Sequence, residues 1–184
     1  NGQEGCICTC TRTSRRALAS NCPVQAHSDP LTTVAVSACG QFVASGDERG
    51  TAFLWDTASG EALFGLQHHT DGGHERITSM SFNSDGSQLV TACYDMSFCV
   101  WDTSTGDLRW KVPFAHDSPL QCIDCSPTNP STFISVGSSE FEYTNTKMWN
   151  LRTRQLIREF SGAVFGKFSP DGQRIATVGG VTMQ

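Results

Sequence analysis

The residues best suited to chemistry in this chain are its histidines and cysteines. His68, His69, Asp71 and His74 fall within seven residues and offer the nitrogen and oxygen donors that zinc accepts. They surround Gly72-Gly73, and a glycine-rich connection does not hold four donors in convergent geometry, so no metal is expected there. Cys122 and Cys125 have CxxC spacing. Redox pairs of that kind sit at a helix N-terminus, where the thiolate is stabilised. Here the pair lies within a strand-like run, and residues three apart on a strand point to opposite faces. Cys6, Cys8 and Cys10 alternate, which gives one strand face of small packed side chains and no metal cage. No Gly-Xaa-Ser-Xaa-Gly elbow or phosphate-binding loop occurs. Neither catalysis nor a cofactor is therefore expected.

Composition narrows the remaining classes. The chain has 184 residues, 17% charged and 9% aromatic, with a formal net charge of −5. A broad nucleic-acid footprint would need clustered Lys and Arg, and the one basic knot, Arg12, Arg15 and Arg16, reads as a solvated loop. No run of about 18 apolar residues is present, so no membrane-spanning helix is expected. The nine cysteines are odd in number and scattered. They read as small hydrophobes in a reducing compartment, which implies an intracellular protein, cytoplasmic or nuclear. The sequence starts at Asn1 without a methionine and shows no signal peptide, which suggests a cleaved, trimmed or fragmentary chain.

The elements that would position these residues are set by internal repetition. Trp55-Asp56, Trp101-Asp102 and Trp149-Asn150 lie 46 and 48 residues apart, each after a strand-like run. Thr57-Ala58-Ser59-Gly60 and Thr103-Ser104-Thr105-Gly106 then form matching turns, with glycine supplying the positive φ of a hairpin. Upstream, Val34–Gly40, Met80–Gly86 and Gly166–Gly172 align without gaps, and Ile123–Asn129 is a further copy. Each is an alternating strand ending in a turn, and a second strand follows at once. A histidine precedes the first strand at His27, His74 and His116.

Self-similarity of this period, with histidine at one end and Trp-Asp at the other, resembles the WD-repeat (WD40) family over roughly residues 27–178. The resemblance implies an all-β fold: a β-propeller arc of about four blades, each a four-stranded antiparallel sheet. The expected division is residues 1–26 for the last strands of a preceding blade and its loop, 27–73, 74–115 and 116–160 for three repeats, and 161–184 for the first two strands of a fourth. An arc of this length implies that the rest of a propeller of about seven blades lies outside it. The family's repeats carry a hydrogen-bonded chain of His, Ser or Thr, Asp and Trp. Residue by residue this implies His74, Thr91, Asp95 and Trp101 in the second repeat. The first offers His27, Ser45 and Trp55, with Arg49 at the Asp position. The third offers His116, Ser135 and Trp149, with extra residues where the Asp should be.

The family also resembles a set of docking platforms, with protein or peptide partners bound by loops on one face. In this sequence those loops carry Glu48, Arg49, Tyr94 and Met96, and a longer turn with Glu140, Phe141 and Tyr143. Exposed aromatics among acids anchor interfaces, so a basic or arginine-containing partner segment is expected there. The expected role is a non-catalytic scaffold for protein–protein interactions in a multiprotein complex. Trp149-Asn150-Leu151-Arg152 is similar to the signature of WD-repeat substrate receptors for cullin-RING ubiquitin ligases, with Asn150 in place of Asp. That makes a substrate-receptor or adaptor subunit the alternative.

Overall fold

The computed structural model describes residues 26–69, 75–137, 145–161 and 165–178. Fourteen strands follow one another along the chain. β1 (Leu31–Val36), β2 (Phe42–Asp47), β3 (Thr51–Asp56) and β4 (Ala62–Gln67) form the first sheet. β5 (Ile77–Phe82), β6 (Gln88–Cys93), β7 (Phe98–Asp102) and β8 (Leu108–Val112) form the second. β9 (Leu120–Cys125), β10 (Thr132–Gly137), β11 (Asn145–Asn150) and β12 (Gln155–Ser161) form the third. β13 (Phe165–Phe168) pairs with β14 (Ile175–Val178) alone. Every neighbouring pair is antiparallel and in sequence order.

The sheets stack side by side along their first strands. Thr32 Oγ1 donates to the Ile77 carbonyl, Ile123 N–H donates to Ser79 Oγ at 3.0 Å and Cys125 N–H to Ser81 Oγ at 3.0 Å. Phe168 N–H donates to Asp124 Oδ2 at 2.6 Å, and Lys167 pairs with the same carboxylate at 2.9 Å. Each link joins a first strand to the one a repeat later. This is the all-β propeller arc expected from the sequence, with three four-stranded sheets and one two-stranded sheet among the described residues.

Two sheet-to-sheet cores hold the arc. Val90, Phe98 and Val100 of the second sheet pack with Ile123, Phe133 and Trp149 of the third. Leu89, Cys99 and Trp101 pack the other way, against Ala44, Leu54 and Leu66. Successive side chains of a strand face opposite ways. A sheet covered on both sides therefore needs an unbroken apolar strand, and Phe98-Cys99-Val100-Trp101 is one.

In all three large sheets the third and fourth strands shift register at the tryptophan, between Leu54 and Trp55, Val100 and Trp101, and Met148 and Trp149. A bulge re-aims a side chain, and here it recurs at the residue that reaches the hydrogen-bonded chain. The following turns are tied by Asp56, Asp102 and Asn150, whose side-chain oxygens accept backbone N–H groups two or three residues on. Gly106 has φ +75°, and a Cβ there would lie 2.6 Å from Phe64 of the preceding sheet. The third turn has Arg154 at the corresponding place with φ 59°, a conformation that costs a side-chain-bearing residue about 1–2 kcal/mol.

Candidate functional site

Antiparallel order puts the turns between second and third strands, and the connections between sheets, on one rim of the arc. Each large sheet has a buried hydrogen-bonded chain opening at that rim. The donors fix its direction. An indole N–H can only donate, so Trp55 donates to Ser45 Oγ at 2.9 Å, Trp101 to Thr91 Oγ1 at 3.0 Å and Trp149 to Ser135 Oγ at 2.8 Å. Each hydroxyl in turn donates its own O–H to a histidine: Ser45 to His27 Nε2 at 2.7 Å, Thr91 to His68 Nδ1 at 3.0 Å and Ser135 to His116 Nε2 at 2.7 Å.

The second ring nitrogen then donates, to a different acceptor in each sheet. In the first, His27 Nδ1 donates to Asp47 Oδ2 at 2.8 Å. In the second, His68 Nε2 donates to Ser97 Oγ at 2.7 Å, and Ser97 donates to Asp95 Oδ1 at 2.6 Å. In the third, His116 Nδ1 donates to Asn145 Oδ1, whose Nδ2 donates to Glu159 Oε1 at 2.6 Å. All three chains run from an indole to a carboxylate.

Sequence spacing assigned these places differently at two points. The imidazole on Thr91 is His68, directly after β4; His74 lies outside the described residues. The first sheet's acid is Asp47 and not a residue at the Arg49 position, because residues two apart on a strand share a face and Asp47 therefore joins Ser45. Arg49 points outward and pairs with Asp29 at 2.8 Å. Thr91, Asp95 and Trp101 share one chain, as do His27, Ser45 and Trp55, and His116, Ser135 and Trp149. Ser97 and Asn145 were not anticipated. Both lie four residues before their tryptophan, a register that only the pairing of second and third strands reveals.

Burial sets the electrostatics. Desolvation holds the His68 imidazole pKa well below its ordinary value, and holds that of His116 at about 4. Asp47 is desolvated, which raises its pKa, but hydrogen bonds from His27 and the Thr51 and Arg49 N–H groups outweigh this and lower it. Burial pushes the Cys93, Cys99 and Cys125 thiols up to about 12, and none of the three is in a disulfide. Cys122 and Cys125 point apart, to the Gly166 and Ser81 carbonyls respectively.

A pH dependence follows. His116 titrates near 4 when folded and at 6.5 when free. Between those values the unfolded chain binds more protons, so stability is complete above pH 6.5 and falls as pH drops towards 4. The shift corresponds to about 3 kcal/mol, and His68 adds in the same direction. Urea midpoints measured from pH 7.5 to 4.5 should fall steadily; a flat profile would show that the two imidazoles are not buried neutral.

The other residues expected on this rim divide in two. Tyr94 is 40% exposed with the Arg76 guanidinium 4.8 Å above its ring, and Glu48 is exposed beside Arg49. Met96 is half-buried with φ 70°. Glu140, Phe141 and Tyr143 lie outside the described residues. Sequence reading missed Phe114, which is 76% exposed with φ 52°, and whose neighbour Ala115 donates its N–H to the Met96 carbonyl at 2.8 Å.

The repeated sheets and their histidine-to-tryptophan chains coincide with a family match: the WD domain, G-beta repeat, fits residues 19–56 and 63–102. The chain carries two matched WD40 repeats. It is 27% identical over 135 residues to Eukaryotic translation initiation factor 3 subunit I of Nematostella vectensis, covering 71% of this chain and 40% of that protein. It is 29% identical over 123 residues to COMPASS component SWD3 of Saccharomyces cerevisiae, covering 67% and 37%. Small ribosomal subunit protein RACK1z of Oryza sativa is 28% identical over 123 residues, covering 65% and 35%. The WD40 chain thus spans well under half the length of these three relatives. No helix among its described residues is long and apolar enough to cross a membrane.

Proposed function

We propose that this WD40 chain is a non-catalytic scaffold that docks protein partners on the rim carrying Tyr94, Met96 and Phe114. The observation that carries this reading is backbone strain beside exposed aromatic surface. Met96 stands where the first sheet has Gly50, and both it and Phe114 adopt the left-handed region. Side-chain-bearing residues persist there when the surroundings over-determine them, commonly at ligand clamps. Glu48, Glu75 and Asp117 are exposed on the turns and connections of this same rim, so a partner segment presenting arginine or lysine among apolar residues matches it. The names of the relatives, which include an initiation-factor subunit and a COMPASS component, support membership of a multiprotein complex. The histidines of the hydrogen-bonded chains have both ring nitrogens engaged, which supports a role without acid–base catalysis. Buried unpaired thiols suit a reducing compartment, cytoplasmic or nuclear.

A larger ring fits the same reading. Val34 and Val36 are 60% and 63% exposed, whereas Met80 and Phe82, their counterparts one repeat later, are buried against the preceding sheet. A further sheet of the same kind would cover the two valines. The ubiquitin-ligase reading gains no structural support, because Asn150 is occupied in tying its turn as Asp56 and Asp102 are.

Affinity purification with Tyr94→Ala/Phe114→Ala tests the docking face, with Arg152→Ala on the opposite rim as comparison. The double variant should lose co-purifying proteins by at least about tenfold while Arg152→Ala keeps them. Equal recovery from wild type and the Tyr94/Phe114 variant would remove the assignment, and loss of a ligase adaptor with Arg152→Ala alone would revive the alternative.

A further inference from the structure

We propose that the rim of the second blade binds a zinc-type divalent ion, with His68, His69, Cys93 and Asp95 as its donors. Donor atoms of His68, Cys93 and Asp95 all lie within 4.8 Å of one another. His69 Nε2 is 3.3 Å from Cys93 Sγ, and its Nδ1 is 3.6 Å from Asp95 Oδ2. A tetrahedral ion with ligand bonds of about 2.0–2.3 Å keeps its ligand atoms roughly 3.3–3.8 Å apart. The His68, Cys93 and Asp95 donors are therefore within about 1 Å of the spacing such an ion needs, a distance that side-chain rotation covers, and rotation of His69 would bring in the fourth donor.

These donors exceed what the blade needs. The hydrogen-bonded chain uses one imidazole and one terminal acid. Where the second blade has His69, Cys93 and Asp95, the first has Ser28, Asp47 and Arg49. The third has Asp117 and Gly137 at the first two of those places. Among the described residues, the second blade alone gathers a thiol, a carboxylate and an extra imidazole at one corner.

The donors come from three segments that the fold already pins. His68 and His69 follow β4 of the first blade, Cys93 ends β6, and Asp95 lies in the turn before β7. His69 rests on Gly50, where a Cβ would come within 2.6 Å of its ring. The second shell is present too. His68 Nδ1 already faces Thr91 Oγ1, which fixes the ring; on binding, the imidazole proton moves from Nε2 to Nδ1, which then donates to Thr91 Oγ1 and leaves Nε2 for the ion. Ser97 would release that nitrogen and keep its bond to Asp95. The Asp95 side chain is 25% exposed, which supplies the path in.

Nitrogen, sulfur and oxygen donors together suit zinc or cobalt rather than calcium or magnesium. On binding, Cys93 gives its proton to solvent, and thiolate plus carboxylate balance the two charges of the ion. From the sequence no metal is expected anywhere in the chain, because the 68–74 donors do not converge and the cysteines read as small packed side chains. Folding supplies Cys93 and Asp95 from elsewhere.

Titration of the reduced full chain with cobalt(II) alone tests the site. One equivalent should produce a near-ultraviolet sulfur-to-cobalt charge-transfer band that zinc abolishes, and zinc should raise the melting temperature. Cys93→Ser should lose the band, whereas Cys39→Ser, at an exposed thiol outside the cluster, should retain it. Asp95→Asn and His69→Ala should each weaken cobalt binding by at least about tenfold. A wild-type chain without the band overturns the proposal, as does a band that survives Cys93→Ser. Should Cys93→Ser fail to fold, unchanged cobalt affinity in both Asp95→Asn and His69→Ala overturns it equally.

Discussion

Replacing Phe98 by alanine is expected to cost about 3–5 kcal/mol of unfolding free energy and to uncouple the second blade from the third. Phe98 is fully buried in β7, with ring centroids 5.1 Å from Trp110, 5.2 Å from Phe133 and 5.1 Å from Trp149, each at a steep edge-to-face angle. Edge contacts of this kind contribute about 0.5–1.5 kcal/mol per pair beyond area burial. Two of the three partners belong to the next blade, so truncation opens a cavity at the joint and not within one sheet. In stacked repeats stability is close to a sum of unit and neighbour terms. Urea unfolding followed by tryptophan fluorescence should therefore broaden or split as the joint weakens, since Trp110 and Trp149 flank it. Phe165→Ala, at a half-exposed site on β13, should cost under about 1 kcal/mol. Equal losses from the two variants would show that the Phe98 cluster is not the main joint.

How much of this was legible in the sequence depends on what each element must satisfy. The tryptophans and the strands before them were readable because a sheet buried on both sides demands an apolar run and each repeat ends it with the same turn. The turn glycines were readable for the same reason, except at Arg154, where the backbone keeps the left-handed conformation without its usual residue. The histidines were harder. His27 lies 28 residues before Trp55, whereas His68 and His116 lie 33 before Trp101 and Trp149. His74, at 27, looked the better match to the first repeat. A side chain is selected by reaching the buried hydroxyl, not by its count along a connection of variable length. His68 even meets Thr91 through Nδ1, where its sisters use Nε2.

The ends of the three chains escaped sequence reading for a related reason. The last imidazole N–H needs only some acceptor within reach, and a carboxylate, a hydroxyl and a carboxamide all serve. Asp47, Ser97 and Asn145 therefore occupy the same role from two strand positions. What stays constant is the hydroxyl in the middle, which must accept from an indole and donate to an imidazole at once. Only serine and threonine among small side chains do both in that space, and the three blades have Ser45, Thr91 and Ser135.

That constancy identifies the second large effect, at Ser135. Alanine there strands two buried groups together: the Trp149 N–H, 2.8 Å from the hydroxyl, and His116 Nε2, 2.7 Å from it. An orphaned buried donor or acceptor costs about 1–3 kcal/mol, so Ser135→Ala should destabilise by about 2–5 kcal/mol although it removes one oxygen. The loss cannot be ascribed to packing, since a cavity of that size contributes well under half of it. Ser135→Thr keeps the hydroxyl and copies Thr91, so it should recover most of the difference. Thr91→Val, which retains shape and deletes the hydroxyl in the neighbouring blade, should behave like Ser135→Ala. Chemical denaturation of the three variants decides the matter. If Thr91→Val is as stable as wild type, the hydroxyl is a passive filler, and the indole-to-carboxylate chain is not what holds each blade in shape.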